Sequence, residues 1–265
     1  MAYLLLVRDL EGRHALITGA GRGIGRALAL ALARAGADVS IVARSADQIE
    51  SVRAEAESFG VRAVGRPLDL ADPGQAAAAV EWACRSLGDV DVLVHAAGHQ
   101  VVVPAADFSL ADWEKVMCVH LTAAFLLAQA FARQARQCAA SHAAPSRRDR
   151  SIIFLGSLTS ERMATAGTVA YNTAKSGLLG LMRTLAVEWA ADGIRVNAIL
   201  PGFFRTEMTR VLEADPTGRE LVARAPMGRW GEPHELGALA VLLAGAEAGF
   251  MTGAAIPVDG GWSVA

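Results

Sequence analysis

The stretch HALITGAGRGIG, residues 14–25, constrains the fold of this chain more than any other. A short run of strand-forming residues ends in a turn carrying Gly19, Gly21, Gly23 and Gly25, and alanine- and leucine-rich helical sequence follows at once. Glycine lets a backbone bend sharply and come close to an anion, while the helix it opens presents free N–H groups and the positive end of its dipole. At a strand-to-helix junction inside a βαβ unit, such a turn implies a site for the pyrophosphate of a dinucleotide.

The rest of the chain keeps this rhythm. Short β-branched runs at 14–18, 38–43, 62–70, 91–96, 151–156, 195–200 and 254–259 alternate with segments of helical periodicity near 24–35, 46–59, 72–87, 110–139, 168–191 and 233–246. Alternation of this kind predicts one α/β domain over 1–265, a doubly wound parallel sheet of about seven strands with helices on both faces. Two stretches break the pattern. Residues 140–150, ASHAAPSRRDR, read as an exposed loop in which RRDR is solvated. Residues 201–232 are long for a connection and read as a substrate-binding loop at the carboxyl edge of the sheet.

Composition excludes several function classes. With 53% hydrophobic and 20% charged residues the chain has ample material for a core, and a net charge of −2 leaves no footprint for nucleic acid or an anionic membrane. The N-terminal run AYLLLV is too short for a signal h-region or a membrane span. Cys84, Cys118 and Cys138 are odd in number, widely spaced and without a CxxC, which suits reduced thiols and a cytoplasmic location.

The chemistry concentrates in TVAYNTAKSGL, residues 168–178. Tyr171 is one of only two tyrosines, and Lys175 follows it one helical turn later on the same face. An adjacent ammonium favours phenolate and lowers the pKa of the phenol toward use as an acid or base. Taken alone, the pair is more often that of an ordinary surface helix. TGxxxGxG, Asp69 after the third strand, HAAG at 95–98, YNTAK at 171–175 and VNAILPGFFRT at 196–206 occur together and in order, and in this the chain resembles the short-chain dehydrogenase/reductase family from about Leu10 onward.

The resemblance implies a Rossmann-type enzyme that transfers hydride between a nicotinamide and a carbonyl or secondary alcohol. It places the general acid or base on Tyr171, ribose binding and pKa control on Lys175, and a hydroxyl donor on Ser157, with Ser160 as runner-up because the usual spacing falls on Leu158. It also implies cofactor contacts from Gly19, Gly21, Arg22, Gly23, Ile24, Gly25, Asp69, Leu70, Ala97, Gly98, Tyr171, Lys175, Pro201, Gly202 and Thr206. Where NAD-specific members of the family have an acid that holds the free ribose diol, this chain has Ala43 followed by Arg44, and Arg22 lies in the glycine turn, so NADP(H) is expected over NAD(H).

Departures from the family pattern are informative. His120 stands where an asparagine of the proton relay is usual, which either carries the relay through an imidazole titrating near neutrality or disables it. The alternative function is thus a cofactor-binding protein without efficient turnover. His95, His99, Cys118 and His120 match no zinc spacing, and no metal is expected. SLTSE, GRWGEP and VDGGW resemble the gluconate 5-dehydrogenase branch and, in part, 3-oxoacyl-carrier-protein reductases. A sugar acid is therefore the first substrate class, with Arg205 or Arg210 as partners for its carboxylate. Long apolar helices over 110–139 and 168–191 imply a homodimer or homotetramer.

Overall fold

Each strand of this chain runs parallel to its neighbours because a helix carries the chain back across the sheet before the next strand begins. The computed structural model describes residues 9–141, 149–161 and 166–265. Its seven strands are β1 (His14–Thr18), β2 (Asp38–Ala43), β3 (Ala63–Pro67), β4 (Val92–His95), β5 (Arg150–Leu155), β6 (Ile194–Pro201) and β7 (Ala255–Val258). They form one sheet in the order β3-β2-β1-β4-β5-β6-β7. The central strands β1, β4, β5 and β6 are buried along their whole length, which is why they read as continuous apolar runs.

Helices cover both faces. On one face α1 (Gly23–Arg34), α2 (Ala46–Glu57) and α9 (Gly237–Ala244) bury Leu28, Leu32, Val52 and Leu243 against Ile17, Ile41 and Ile153. On the other, α3 (Pro73–Leu87), α5 (Ala123–Ser141) and α6 (Val169–Trp189) bury Val80, Leu127, Phe131, Leu178 and Met182 against Leu16, Leu93 and Ile152. Between α3 and α5, α4 (Leu110–Met117) continues through a single π-helical turn, Cys118–Thr122, into α5. The stretch Leu110–Ala139 is long enough to cross a membrane and contains an 18-residue window of mean hydropathy 1.5, but half of that window is buried inside this protein.

The expected strands and helices are all present, with two differences among the described residues. The third strand ends at Pro67, which has no N–H to continue the ladder. Segment 201–232 contains two short helices, α7 (Arg210–Ala214) and α8 (Pro216–Ala223), the second capped by Asp215 with Pro216 at its first position.

The AYLLLV segment and residues 142–148 of the expected loop lie outside the described residues. At the end of that loop the expectation of a solvated RRDR is corrected. Arg150 is buried at the start of β5, and Asp149 makes a two-pronged pair with buried Arg195 at 2.8 and 2.9 Å. Arg195 also donates to the Leu243 and Gly245 carbonyls, so these charges clasp β6 to the end of α9.

Candidate active site

Strand order reverses between β1 and β4, and the loops leaving their carboxyl ends part to form a cleft, as is general for open parallel sheets. The cleft has a volume of about 620 Å³. Its floor at one end is the glycine turn. Gly19 has φ +68°, and a Cβ there would lie 2.5 Å from the Ala97 Cα, so the turn can press against the loop after β4 only as glycine. A Cβ on Gly25 would lie 2.2 Å from the Gly19 carbonyl oxygen, which fixes how closely α1 follows β1. Arg22 caps α1 with no side-chain hydrogen bond, and the first turn holds no acidic residue. The helix therefore offers its free N–H groups and positive end to the cleft.

Every residue expected to touch a cofactor lines this one cleft: Gly19, Gly21, Arg22, Gly23, Ile24, Gly25, Arg44, Asp69, Leu70, Ala97, Gly98, Tyr171, Lys175, Pro201, Gly202 and Thr206. Ala43 ends β2, Arg44 follows it, and Ser45 caps α2 by accepting the Gln48 N–H. One Asp69 carboxylate oxygen accepts the Ala71 N–H at 3.0 Å, bracing the loop after β3. Thr206 and Thr209 hydrogen-bond reciprocally and pin the start of α7 to the cleft wall.

At the other end, Ser157, Tyr171 and Lys175 converge. Ser157 follows β5 and caps a short turn, accepting the Thr159 N–H at 3.2 Å. Ser160 accepts the Ser157 N–H at 3.1 Å and does not line the cleft, so the runner-up hydroxyl serves as a cap behind the site. Lys175 is buried, donates to the Leu155 carbonyl, and places its ammonium 5.7 Å from the Tyr171 ring centre.

Their ionisation differs from the simple cation-beside-phenol picture. Desolvation raises the Tyr171 pKa above its ordinary value, opposed by a hydrogen bond from Ser157. Desolvation also lowers Lys175 to about 7. In a dry site both groups are pushed toward neutrality, and this outweighs the attraction of the ammonium for phenolate.

His120 also lines the cleft, buried at the π turn, with its ring edge-on to Tyr171 at 5.2 Å between centres. Gly98 makes room for it, since a Cβ there would lie 2.5 Å from its Cε1. Its Nε2 lies 2.8 Å from the His99 carbonyl oxygen. Burial and then the charge of Lys175 hold it well below the ordinary histidine value. The expected ionisation near neutrality is thus corrected to a neutral imidazole.

His95 sits beneath it as a second neutral imidazole, with a pKa of about 3 set first by burial. The Thr18 hydroxyl donates to its Nδ1 at 2.9 Å, and its Nε2 donates to the Val119 carbonyl at 3.1 Å, a tautomer assigned from the partners. The Val119 carbonyl can receive it because the Ala123 N–H reaches back five residues to Cys118. Among the described residues no group of three or more His, Cys, Asp and Glu side chains is arranged to hold a metal.

Arg205 does not reach the cleft as a free cation. It is paired with Glu213 at 2.6 Å and with Glu232. Arg210 is exposed on α7 and does not line the cleft either, so neither arginine stands ready for a substrate carboxylate. Gln48, Lys115, Glu207 and Met208 do line it and were not singled out in the sequence. None of the four carried a signal in the sequence, because each reaches the cleft only through the way the loops and helices pack around it.

The family profile described as Enoyl-(Acyl carrier protein) reductase matches residues 19–263. Gluconate 5-dehydrogenase of Gluconobacter oxydans (strain 621H) is 36% identical over 97% of this chain and 96% of its own. The rhamnolipids-biosynthesis 3-oxoacyl-[acyl-carrier-protein] reductase of Pseudomonas aeruginosa is also 36% identical, over 96% of this chain and 97% of its own. The crystal structure of a gluconate 5-dehydrogenase from Burkholderia cenocepacia J2315, in complex with NADP and tartrate, superposes with a TM-score of 0.89. It is 35% identical and covers 98% of this chain and 99% of that one.

Proposed function

The chain belongs to the short-chain dehydrogenase/reductase family of nicotinamide-dependent oxidoreductases, and from that premise we propose that it interconverts a carbonyl and a secondary alcohol with NADP(H). One observation carries this reading: Ser157, Tyr171 and Lys175 face the same cleft as the open N-terminus of α1. The uncapped helix end and the glycine turn fit a pyrophosphate, and Arg44 and Arg22, beside Ala43, fit a 2′-phosphate. NAD(H) is the lesser choice, because Ala43 offers a free ribose diol nothing. Asp69, Leu70, Ala97 and Gly98 would line the adenosine part, and Lys175, Pro201, Gly202 and Thr206 the nicotinamide part.

When bound, the nicotinamide supplies or accepts the hydride. Tyr171 holds its proton at neutral pH because burial raises its pKa, so the phenol is poised to donate to a carbonyl oxygen, with the Ser157 hydroxyl as a second donor to the same atom. Lys175, titrating at about 7, can resupply that proton over the working pH range. This convergence favours turnover over a cofactor-binding protein without efficient catalysis, the reading that His120 had raised.

Sugar acids are the first substrate class by likeness to gluconate 5-dehydrogenases, and 3-oxoacyl thioesters the second. Because Arg205 is held by two glutamates, the sugar-acid reading rests on that likeness and not on a guanidinium in the cleft. A cofactor-oxidation screen over sugar acids, 3-oxoacyl thioesters and small diketones decides between them, and turnover of none would return the non-catalytic reading.

For the cofactor, Arg44→Ala is expected to weaken NADPH about tenfold and leave NADH unchanged, as loss of a charge-assisted contact to phosphate would. Direct titration of both cofactors checks this, and equal affinities in the parent would remove the NADP(H) assignment.

We further infer that residues 1–265 act as one cytoplasmic domain with 201–232 as the substrate loop, and that it assembles as a symmetric dimer or tetramer. Exposed Phe125 on α5 and Val187 on α6 support pairing through these helices. Light scattering at micromolar concentration should report an assembly, and a monomer would contradict it.

A further inference from the structure

The tail of the chain folds back toward the reacting end of the cleft. After β7 the Asp259 carboxylate accepts the Gly261 and Ser263 N–H groups, each at 2.9 Å, and shapes the last residues into the short turn Trp262–Val264. That turn buries the Trp262 ring. Its indole Nε1–H donates to the Leu221 carbonyl at 3.1 Å, across 41 residues of sequence. Leu221 stands in the last turn of α8, and the Ala225 N–H that would meet its carbonyl in a longer helix turns to Val222 instead. The indole therefore caps a carbonyl that the helix end leaves without a partner. Arg224, which ends α8, lies over the same ring at 4.7 Å from its centre.

Trp262 also belongs to a buried apolar cluster with Leu158 and Ala225, and Phe203 packs against it at 6.4 Å between ring centres. Leu158 directly follows Ser157, and the Ser157 hydroxyl caps the turn they share. On the other side, α8 is closed onto α7, since a Cβ on Gly218 would lie 1.8 Å from the Leu212 carbonyl oxygen. α7 in turn starts at the Thr206–Thr209 pair on the cleft wall. Gly202, on the same wall, is pressed against the root of the tail, because a Cβ there would lie 2.8 Å from the Asp259 Cα. One side chain, which does not itself line the cleft, thus stands between the Ser157 turn and the substrate loop.

We propose that Trp262 is a positioning residue for the reaction: through Leu158 and through α8 it holds the Ser157 turn and the substrate loop at a fixed separation, and so sets how closely the reacting end fits a carbonyl substrate. This rests on the oxidoreductase reading above and adds a residue that acts only through others. Keeping a hydroxyl donor and the facing wall in register is what aligns a bound carbonyl for hydride transfer. An indole suits the place, with a broad rigid face for packing and a single N–H at its edge. Phenylalanine would keep most of the packing and lose the hydrogen bond, and leucine would lose the bond and much of the packing.

Hydrogen exchange on the full-length protein separates the two contacts. Trp262→Phe should speed exchange of the α8 amides about three- to tenfold, the weight of one buried hydrogen bond, and leave the Thr159 and Ser160 amides at the parent rate. Trp262→Leu should speed both sets, while the amides of β1 and of the glycine turn keep their parent rates in both variants. With 5-keto-D-gluconate and 2,3-butanedione as probe carbonyls, KM for the carbonyl should rise about three- to tenfold in Trp262→Phe and NADPH affinity should stay unchanged. A tryptophan with a merely structural role would instead reduce the amount of active protein and leave KM alone. Faster exchange confined to the last residues or spread evenly over the sheet would overturn the proposal, and so would an unchanged KM beside a loosened α8. A parent inactive on both probes and on the wider screen would bring down the oxidoreductase reading itself, on which the exchange pattern, needing no substrate, does not depend.

Discussion

Tyr171→Phe is expected to lower kcat by about 10²- to 10⁴-fold, the usual contribution of a positioned general acid, while NADPH affinity stays at the parent value. The substitution removes one oxygen and keeps the ring, so the apolar cluster of Tyr171 with Val116, Ala170 and Ala174 remains packed. What is lost is the proton that burial keeps on the phenol, together with the oxygen that accepts a hydrogen bond from Ser157. Measuring kcat and cofactor affinity separately distinguishes this from general damage, because an unfolded cleft would lose both. His120→Asn is the companion measurement. Since His120 is already neutral, its replacement should leave the shape of the pH profile of kcat/KM unchanged, and a limb near pH 7 should persist because it belongs to Lys175. Activity surviving in Tyr171→Phe would overturn the catalytic reading, and disappearance of the limb in His120→Asn would return the ionisation to the imidazole.

Lowering the pH from 7.5 to 5.5 is expected to cost the cofactor-free protein about 3 kcal/mol of folding stability, from the two buried imidazoles His95 and His120. In the folded chain both stay neutral, His95 down to about pH 3, while in the unfolded chain each takes up a proton below about 6.5. The unfolded state then binds more protons, so stability falls as pH drops through the unfolded value, and it stops falling only near the folded ones. His14 contributes in the same direction, being buried between the Gly88 carbonyl and the Ser40 hydroxyl with its pKa lowered. Lys175 extends the trend upward. It loses its proton near 7 when folded and near 10.4 when unfolded, so stability keeps rising across that window. Urea titrations at several pH values measure this directly. A flat stability curve between pH 7.5 and 5.5 would mean that these imidazoles are charged or hydrated in the native state.

The parts of this molecule that local chemistry dictates were legible in its sequence. The first two strands begin and end where their β-branched runs do, at His14–Thr18 and Asp38–Ala43, because a buried parallel strand has no polar face to blur its limits. The glycine turn and the Tyr171–Lys175 pair were legible for a similar reason, since each is a function of spacing alone. What escaped depends on partners distant in the chain. Arg205 looked available because Glu213 and Glu232, which hold it, lie 8 and 27 residues away. The phenol and the imidazole of His120 looked tunable toward neutrality because sequence gives neighbours and not depth; burial, the dominant influence on both, appears only once α6 and the π turn are packed.

The extra residue in the turn Cys118–Thr122 binds two distant parts of the chain into one heritable unit. A lineage that dropped a residue there would restore a regular α-turn, return the Val119 carbonyl to the Ala123 N–H, and leave the Nε2 proton of His95 without an acceptor in the core. The same loss would swing everything N-terminal to it, Lys115 included, by about 100° around the helix axis. Chain length at one place and residue identity at another can therefore drift only together, and a homologue aligned with a one-residue gap at this point should carry a different side chain at the end of β4.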